Sequence, residues 1–360
     1  MLPFLSTQRL AESRVEVPPV EVMRKNLWGE PSLRRRLFNG QPDQGLEMPA
    51  YNEYFQRQWY AMVTDADGRY VATREVDDIF QIVQYLIQGH HRDAIILRLN
   101  QINPKASASA CNSSVDLAAR LLLMLKVGVV KHQASPHLCL KWETGDLQSF
   151  VRERFNKSPV LDSHNVRLPK SFDVWSISNV GGLKVEFTDD LADHLLLVDD
   201  DTTVLLFHHA SFLECQVNTL YPEGLVEETL RTLALLFPQS EFGSSIRGSK
   251  TKREWFQRLC RESKPCSIDA RVALCGNLRA EDRRIERFTF WRDRLIILKQ
   301  VYDDATPRTI QQWWHDRRNG ERWFIFWVAV LVLMITIVLG LIQCIEGALQ
   351  VYKAYHPTIV

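Results

Sequence analysis

The sequence predicts an α+β, mostly helical domain with a small part that contains a β-hairpin, followed by one transmembrane helix near the C-terminus. Three observations predict it. Residues 323–345 run for 23 positions without a charged side chain. Between residues 76 and 310 the apolar residues recur mostly at helical spacing. One stretch, LLLVDDDTTVLLF, instead sets two apolar runs on either side of three aspartates, as a hairpin does.

At 360 residues the chain is long enough for one large domain or two modest ones. Its 44 Lys and Arg nearly balance its 43 Asp and Glu, for a formal charge of +1. That balance supplies no general attraction to nucleic acid or to an acidic partner. Seven cysteines without framework spacing fit a reducing compartment. The apolar start of MLPFLSTQRLAESR is too short for a secretory signal.

Residues 1–75 are polar, rich in Pro, Gly, Arg and Gln, and are expected to be largely flexible, with short anchoring pieces such as YNEYFQRQWY. The arginines at 34–36 read as a solvated run. A globular α+β domain is expected over 76–310. It opens with VDDIFQIVQYLIQ, whose Val76, Ile79, Phe80, Val83, Leu86 and Ile87 lie at helical spacing. DAIILRLNQI continues as helix. After the loop NPKASASACNSS, Ser113 or Ser114 is placed to cap VDLAARLLLMLKVG, which ends at Gly128.

LCLKWETG reads as a strand and GDLQSFVRERF as a short amphipathic helix. Helix, strand and helix in that order suggest a small α+β unit, and a winged helix, whose basic helix enters a groove, is the nucleic-acid-binding form of such a unit. VDLAARLLLMLKVG is too apolar for a recognition helix, however, so no nucleic acid is expected. LPKSFDVWSI opens a β-rich stretch in which LKVEF alternates as a strand. TDDLADHL reads as a helical turn capped by Thr188 or Asp189. PEGLVEETLRTLALLFP is a helix begun at Pro222, carrying Leu225, Thr229, Leu233 and Leu236 on one side and stopped by Pro238. REWFQRLC and RRIERFTFWRDRLIILKQVY are read as helices; the second aligns Phe288, Trp291, Leu295, Leu298 and Tyr302.

Residues 311–322 form a juxtamembrane segment, 323–345 the transmembrane helix and 346–360 a short tail. The 23-residue run spans roughly 34 Å at about 1.5 Å per residue, enough for a bilayer core. Arg308, Arg317, Arg318 and Arg322 precede it and only Lys353 follows, which predicts that the large N-terminal part is cytosolic. Trp313, Trp314, Trp323 and Trp327 fit one interfacial belt, and Tyr352 and Tyr355 the other. The expected arrangement is a tail anchor in the endoplasmic reticulum or another endomembrane, with the lipid bilayer contacted through 323–345. Thr336, Gly340, Cys344 and Ala348 recur every four residues, a stripe on which a second copy could pair to give a homodimer.

The chemistry-bearing residues are few. A hairpin centred between Asp200 and Asp201 sets Phe207 opposite His194, and His208 opposite Asp193. Residues 199–201 then do turn work; a calcium loop would need alternating oxygen ligands and a closing glutamate. Asp190, Asp193, His194, His208 and His209 remain as candidates for a metal site or a carboxylate-oriented histidine base. Against that stands a cross-strand Asp–His pair with a half-buried histidine. Cys260, Cys266 and Cys275 do not match zinc spacing. Dinucleotide, P-loop, hydrolase-elbow, zincin and kinase signatures are absent. No cofactor is indicated.

LADHLLLVDDDTTVLLFHHASFL, PEGLVEETLRTLALLFP, FWRDRLIILKQVYDDATPRTIQQWWHDRRNGERWFIFWVAVLVL and IQCIEGALQVYKAYHP resemble a group of fungal membrane proteins. These carry one C-terminal transmembrane helix and no assigned activity. The resemblance covers residues 76–357 and implies a fungal origin and the same layout. It supplies no catalytic residue. The expected function is a protein-interaction or regulatory domain, with unidentified protein partners, held at a membrane. The alternative is a membrane-tethered metal-dependent hydrolase built on His194, His208, His209, Asp190 and Asp193.

Overall fold

A computed structural model describes residues 18–29, 48–63, 71–73, 75–128, 139–156, 159–161, 166–216, 220–243, 249–262, 267–305 and 320–355. The chain is mostly helical, with a three-stranded sheet and one long C-terminal apolar helix. Its helices are α1 (Val20–Trp28), α2 (Pro49–Val63), α3 (Val76–Ile87), α4 (Arg92–Ile102), α5 (Ala108–Leu123), α6 (Leu147–Phe155) and α7 (Val174–Asn179). They continue with α8 (Ala210–Cys215), α9 (Leu225–Leu236), α10 (Gln239–Phe242), α11 (Lys250–Glu262), α12 (Arg292–Asp304) and α13 (Gly320–Tyr355). The strands are β1 (Lys184–Thr188), β2 (Leu196–Val198) and β3 (Thr203–Phe207).

Helix α5 is buried nearly all round, and α3, α4 and α2 pack on it. Ser107 caps its start by accepting the N–H of Ala110, six or more residues before the predicted Ser113 or Ser114. Ser114 instead lies inside the helix and binds the N–H of Ala72 (2.8 Å). A buried helix end leaves carbonyls that water cannot satisfy. Here side chains from other elements supply the donors. The Tyr54 hydroxyl donates to the Arg120 carbonyl (3.2 Å), the Tyr51 hydroxyl to Leu121 (2.6 Å) and the Trp28 indole N–H to Leu122 (3.3 Å). The Tyr221 hydroxyl donates to Leu123. Met124 then turns out of the helix at φ 48°, and its carbonyl receives the Leu191 N–H (2.9 Å).

This cap changes the reading of the N-terminal 75 residues. Trp28, Tyr51, Phe55 and Trp59 are buried in the same core as α5. Helices α1 and α2 are therefore core elements, packed against α3 and α5. The remainder of the region expected to be flexible lies largely outside the described residues.

Three other expectations change. Among the described residues LCLKWETG makes one bridge, Leu140 to Val127, and no strand; Trp142 lies under the Arg92 guanidinium (4.8 Å). LPKSFDVWSI holds α7, begun when Asp173 accepts the N–H of Ser176. The helix expected from 283 onward starts only at Arg292. The buried Glu228 carboxylate takes the N–H groups of Thr289 and Trp291 (both 2.8 Å), which keeps that turn out of the helix. Phe288, Trp291, Leu295, Leu298 and Tyr302 are nonetheless all buried.

The sheet order is β1-β3-β2. β2 and β3 form the hairpin in the expected register, with Leu196 opposite Leu205 and Val198 opposite Thr203. Asp199, Asp200 and Asp201 all have positive φ, a conformation that aspartate tolerates better than most residues. β1 pairs parallel to β3, Thr188 opposite Phe207, so the carboxyl ends of both strands meet. The apolar span of α13 runs over Trp323–Tyr352, and none of it is buried against the domain. It passes the predicted end at 345 because Glu346 is the single charge in the next seven residues.

Candidate functional site

Because β1 and β3 end side by side, Asp189 follows one strand where His208 and His209 follow the other. The Asp189 carboxylate sits between three cations or donors. Its Oδ1 lies 2.7 Å from His209 Nε2 and 3.5 Å from His208 Nε2. Its Oδ2 accepts from the Arg57 guanidinium of α2 at 2.9 Å. The two imidazoles lie side by side, tilted by 30° with centroids 3.9 Å apart. His208 and His209 are buried, while Asp189 and Arg57 are half-buried at the edge.

The protons can be assigned from the partners. His208 Nδ1 accepts the Asp269 N–H (3.3 Å), so the neutral ring carries its proton on Nε2, facing Asp189. His209 likewise points Nε2–H at Asp189, and its buried Nδ1 has no partner. Burial, then the neighbouring His208, pushes His209 down to about 4, so the ring is neutral. Burial alone would raise Asp189, but the hydrogen bonds from His208 and His209 outweigh it and hold the carboxyl well below its usual range.

The side-chain ligand atoms of Asp189, His208 and His209 lie within 4.8 Å of one another, the only such group among the described residues. Two histidines and a carboxylate suit zinc or iron. A metal on Nε2 of His208 would require the proton on Nδ1, where it would face the Asp269 N–H donor. Arg57 already holds the second carboxylate oxygen. The arrangement fits a hydrogen-bonded Asp–His–His–Arg network better than a cation site. His209 Nδ1 is shaped as a base, but it is enclosed by the rings of Tyr54 and Phe207.

The five predicted residues fall in three places. His208 and His209 join Asp189. Asp190 caps the next turn by accepting the Ala192 N–H (2.9 Å), and Asp193 pairs with Lys126 (3.0 Å). Burial, then Asp193, pushes the Asp190 carboxyl up to about 7. His194 is fully committed elsewhere: its Nδ1 accepts the Phe207 N–H (3.2 Å) and its Nε2 meets Thr232 Oγ1 (2.6 Å). Since the Thr232 hydroxyl donates to Thr229, it accepts from His194. Burial, then Arg294, pushes His194 down to about 3. Asp189 and Arg57 were missed. Two strands of equal length, one ending in TDD and the other in HH, were the available signal.

Cys260 is half-buried and Cys275 buried; Cys266 lies outside the described residues. Thr336, Gly340, Cys344 and Ala348 lie on α13, where Thr336 bonds back to the Leu333 carbonyl (2.8 Å). Comparison of the chain with known protein families, curated proteins and solved structures finds no match.

Proposed function

We propose that this is a single-pass membrane protein whose C-terminal helix anchors a cytosolic interaction or regulatory domain. One observation carries the reading: Trp323–Tyr352 is long and apolar enough to cross a bilayer, and none of its residues is buried. In water that helix would expose Leu331, Leu339, Leu341 and Ile345, each more than half exposed, in one continuous apolar surface. The excess of arginine before the span over lysine after it supports a cytosolic domain. The non-catalytic reading is supported by the committed hydrogen bonds of His194 and His208 and by the enclosed Nδ1 of His209.

Protease protection tests the orientation. In sealed microsomes, protease added outside should digest the domain and leave only a small fragment containing α13. A domain that survives until detergent opens the vesicles would place it on the other side and overturn the reading.

A further inference from the structure

Residues 166–168 and 283–285 lie side by side as a short antiparallel bridge in which Arg167 sits opposite Arg284. The Leu168 N–H meets the Arg283 carbonyl and the Ile285 N–H the Val166 carbonyl, both at 2.9 Å. Arg167 and Arg284 are therefore a pair with no hydrogen bonds between them, the kind that brings facing side chains closest. Alternation along the two segments turns Leu168 and Ile285 into the core and leaves both arginines exposed on the outer side. Arg287, also exposed, follows Arg284 by one turn of the 3-10 helix Ile285–Arg287 and falls on the same side, with Glu286 about a third of a turn away.

This arrangement works against stability, because like charges directly opposite each other on paired strands repel. Among the described residues none of Arg167, Arg284 and Arg287 is in an ion pair. Burial, then the neighbouring Arg167, pushes the Arg283 guanidinium down, and its Nη1 turns back to the Leu168 carbonyl (3.4 Å). Arg231 brings a further positive charge to the same edge by donating to the Arg287 carbonyl (2.9 Å). Three exposed guanidiniums gathered on one side without a counter-charge suit a phosphate-bearing partner, since the planar guanidinium takes phosphate oxygens two at a time.

The position of the patch in the chain selects the partner. It lies just before α12, which is about 20 Å long. Residues 305–319 then join α12 to α13 and can span at most about 50 Å. A cytosolic leaflet carries anionic lipid and draws basic side chains to its surface. So short a tether holds the patch beside that surface at roughly millimolar effective concentration. We infer that Arg167, Arg284 and Arg287 dock the domain on the phosphates of anionic lipid in the membrane that holds α13. The inference rests on the anchoring proposal and adds which face of the domain meets the bilayer.

The test places the full chain in lipid nanodiscs, either of phosphatidylcholine alone or with about 30% phosphatidylserine. Phenylglyoxal modifies accessible arginines, and mass spectrometry reads the rate at each position. Arg167, Arg284 and Arg287 should react about fivefold or more slowly in the phosphatidylserine discs. Arg258, exposed on α11, should react alike in both. About 1 M salt, where the screening length is about 3 Å, should abolish the difference. Arg284→Gln combined with Arg287→Gln should abolish it at Arg167. This variant should be at least as stable as the wild type, because the repulsion across the bridge is relieved. An inserted chain whose three arginines react alike in both discs overturns the inference and leaves the anchoring proposal standing. A chain that does not enter the discs overturns both. Protection of Arg167 that survives in the variant also overturns the inference. Inorganic phosphate that protects the three arginines as well in phosphatidylcholine discs would point to a soluble or protein-borne phosphate and overturn the membrane assignment.

Discussion

Trp59→Ala is expected to destabilise the protein by about 3–5 kcal/mol, the cost of emptying a buried aromatic site. Trp59 is 0% exposed within α2, which the sequence marks only as a short anchoring piece in an otherwise flexible region. Tyr51→Phe removes a single oxygen and tests the same idea more finely. It leaves the buried Leu121 carbonyl without its donor, which should cost about 1–3 kcal/mol. Gln56, exposed on the same helix, is the control; Gln56→Ala should change stability by less than about 0.5 kcal/mol. Denaturant unfolding of the full chain in detergent measures all three. If Trp59→Ala and Gln56→Ala prove alike, α2 is peripheral and the tyrosine cap on α5 is not part of the stable core.

The second large effect is acid sensitivity. His194 and His209 are buried neutral, with values of about 3 and about 4 in the folded chain. Their unfolded value is about 6.5. The unfolded state therefore takes up protons first as the pH falls. The stability these residues contribute is whole above about 6.5 and is lost on descending towards 4. From pH 7 to 4.5 each histidine costs about 3 kcal/mol at most. Asp190 acts in the opposite sense. Its folded value of about 7 lies above the ordinary carboxyl value, so the folded state takes up that proton first. Over the same interval it returns about 3 kcal/mol. The wild type should thus lose only part of the histidine cost. Asp190→Asn keeps an acceptor for the Ala192 N–H and removes the titration. On going from pH 7 to pH 4.5 its stability should fall by about 3 kcal/mol more than that of the wild type. Parallel pH profiles for the two proteins would mean that Asp190 is an ordinary ionised carboxylate when folded.

The parts of the fold that the sequence made legible share a physical reason. The long C-terminal helix is written in an uninterrupted apolar run, of a length that could cross a bilayer. The β2–β3 register follows from symmetry about residues 200 and 201, because apolar runs of similar length flank the aspartates. The paired ends of β1 and β3 were not legible in the same way. A parallel contact is set by tertiary packing rather than by a local turn, and it decides which aspartate meets the histidines. Asp189, Asp190 and Asp193 look equivalent in TDDLAD, yet one joins two imidazoles and a guanidinium, one caps a turn and one pairs with Lys126. Helix α2 was obscured by its polar letters. Tyr51, Phe55 and Trp59 recur every four residues, but Asn, Glu, Gln and Arg between them hide the stripe. The hydroxyls that make Tyr51 and Tyr54 look solvent-facing are what close the carbonyl end of α5.

Alkaline extraction of membranes tests the central claim most directly, comparing the full chain with one ending at residue 319. The full chain should stay in the membrane pellet, and the shortened chain should appear in the soluble fraction with its domain folded. A shortened chain that still resists extraction, or a full chain that is released, would contradict anchoring through Trp323–Tyr352.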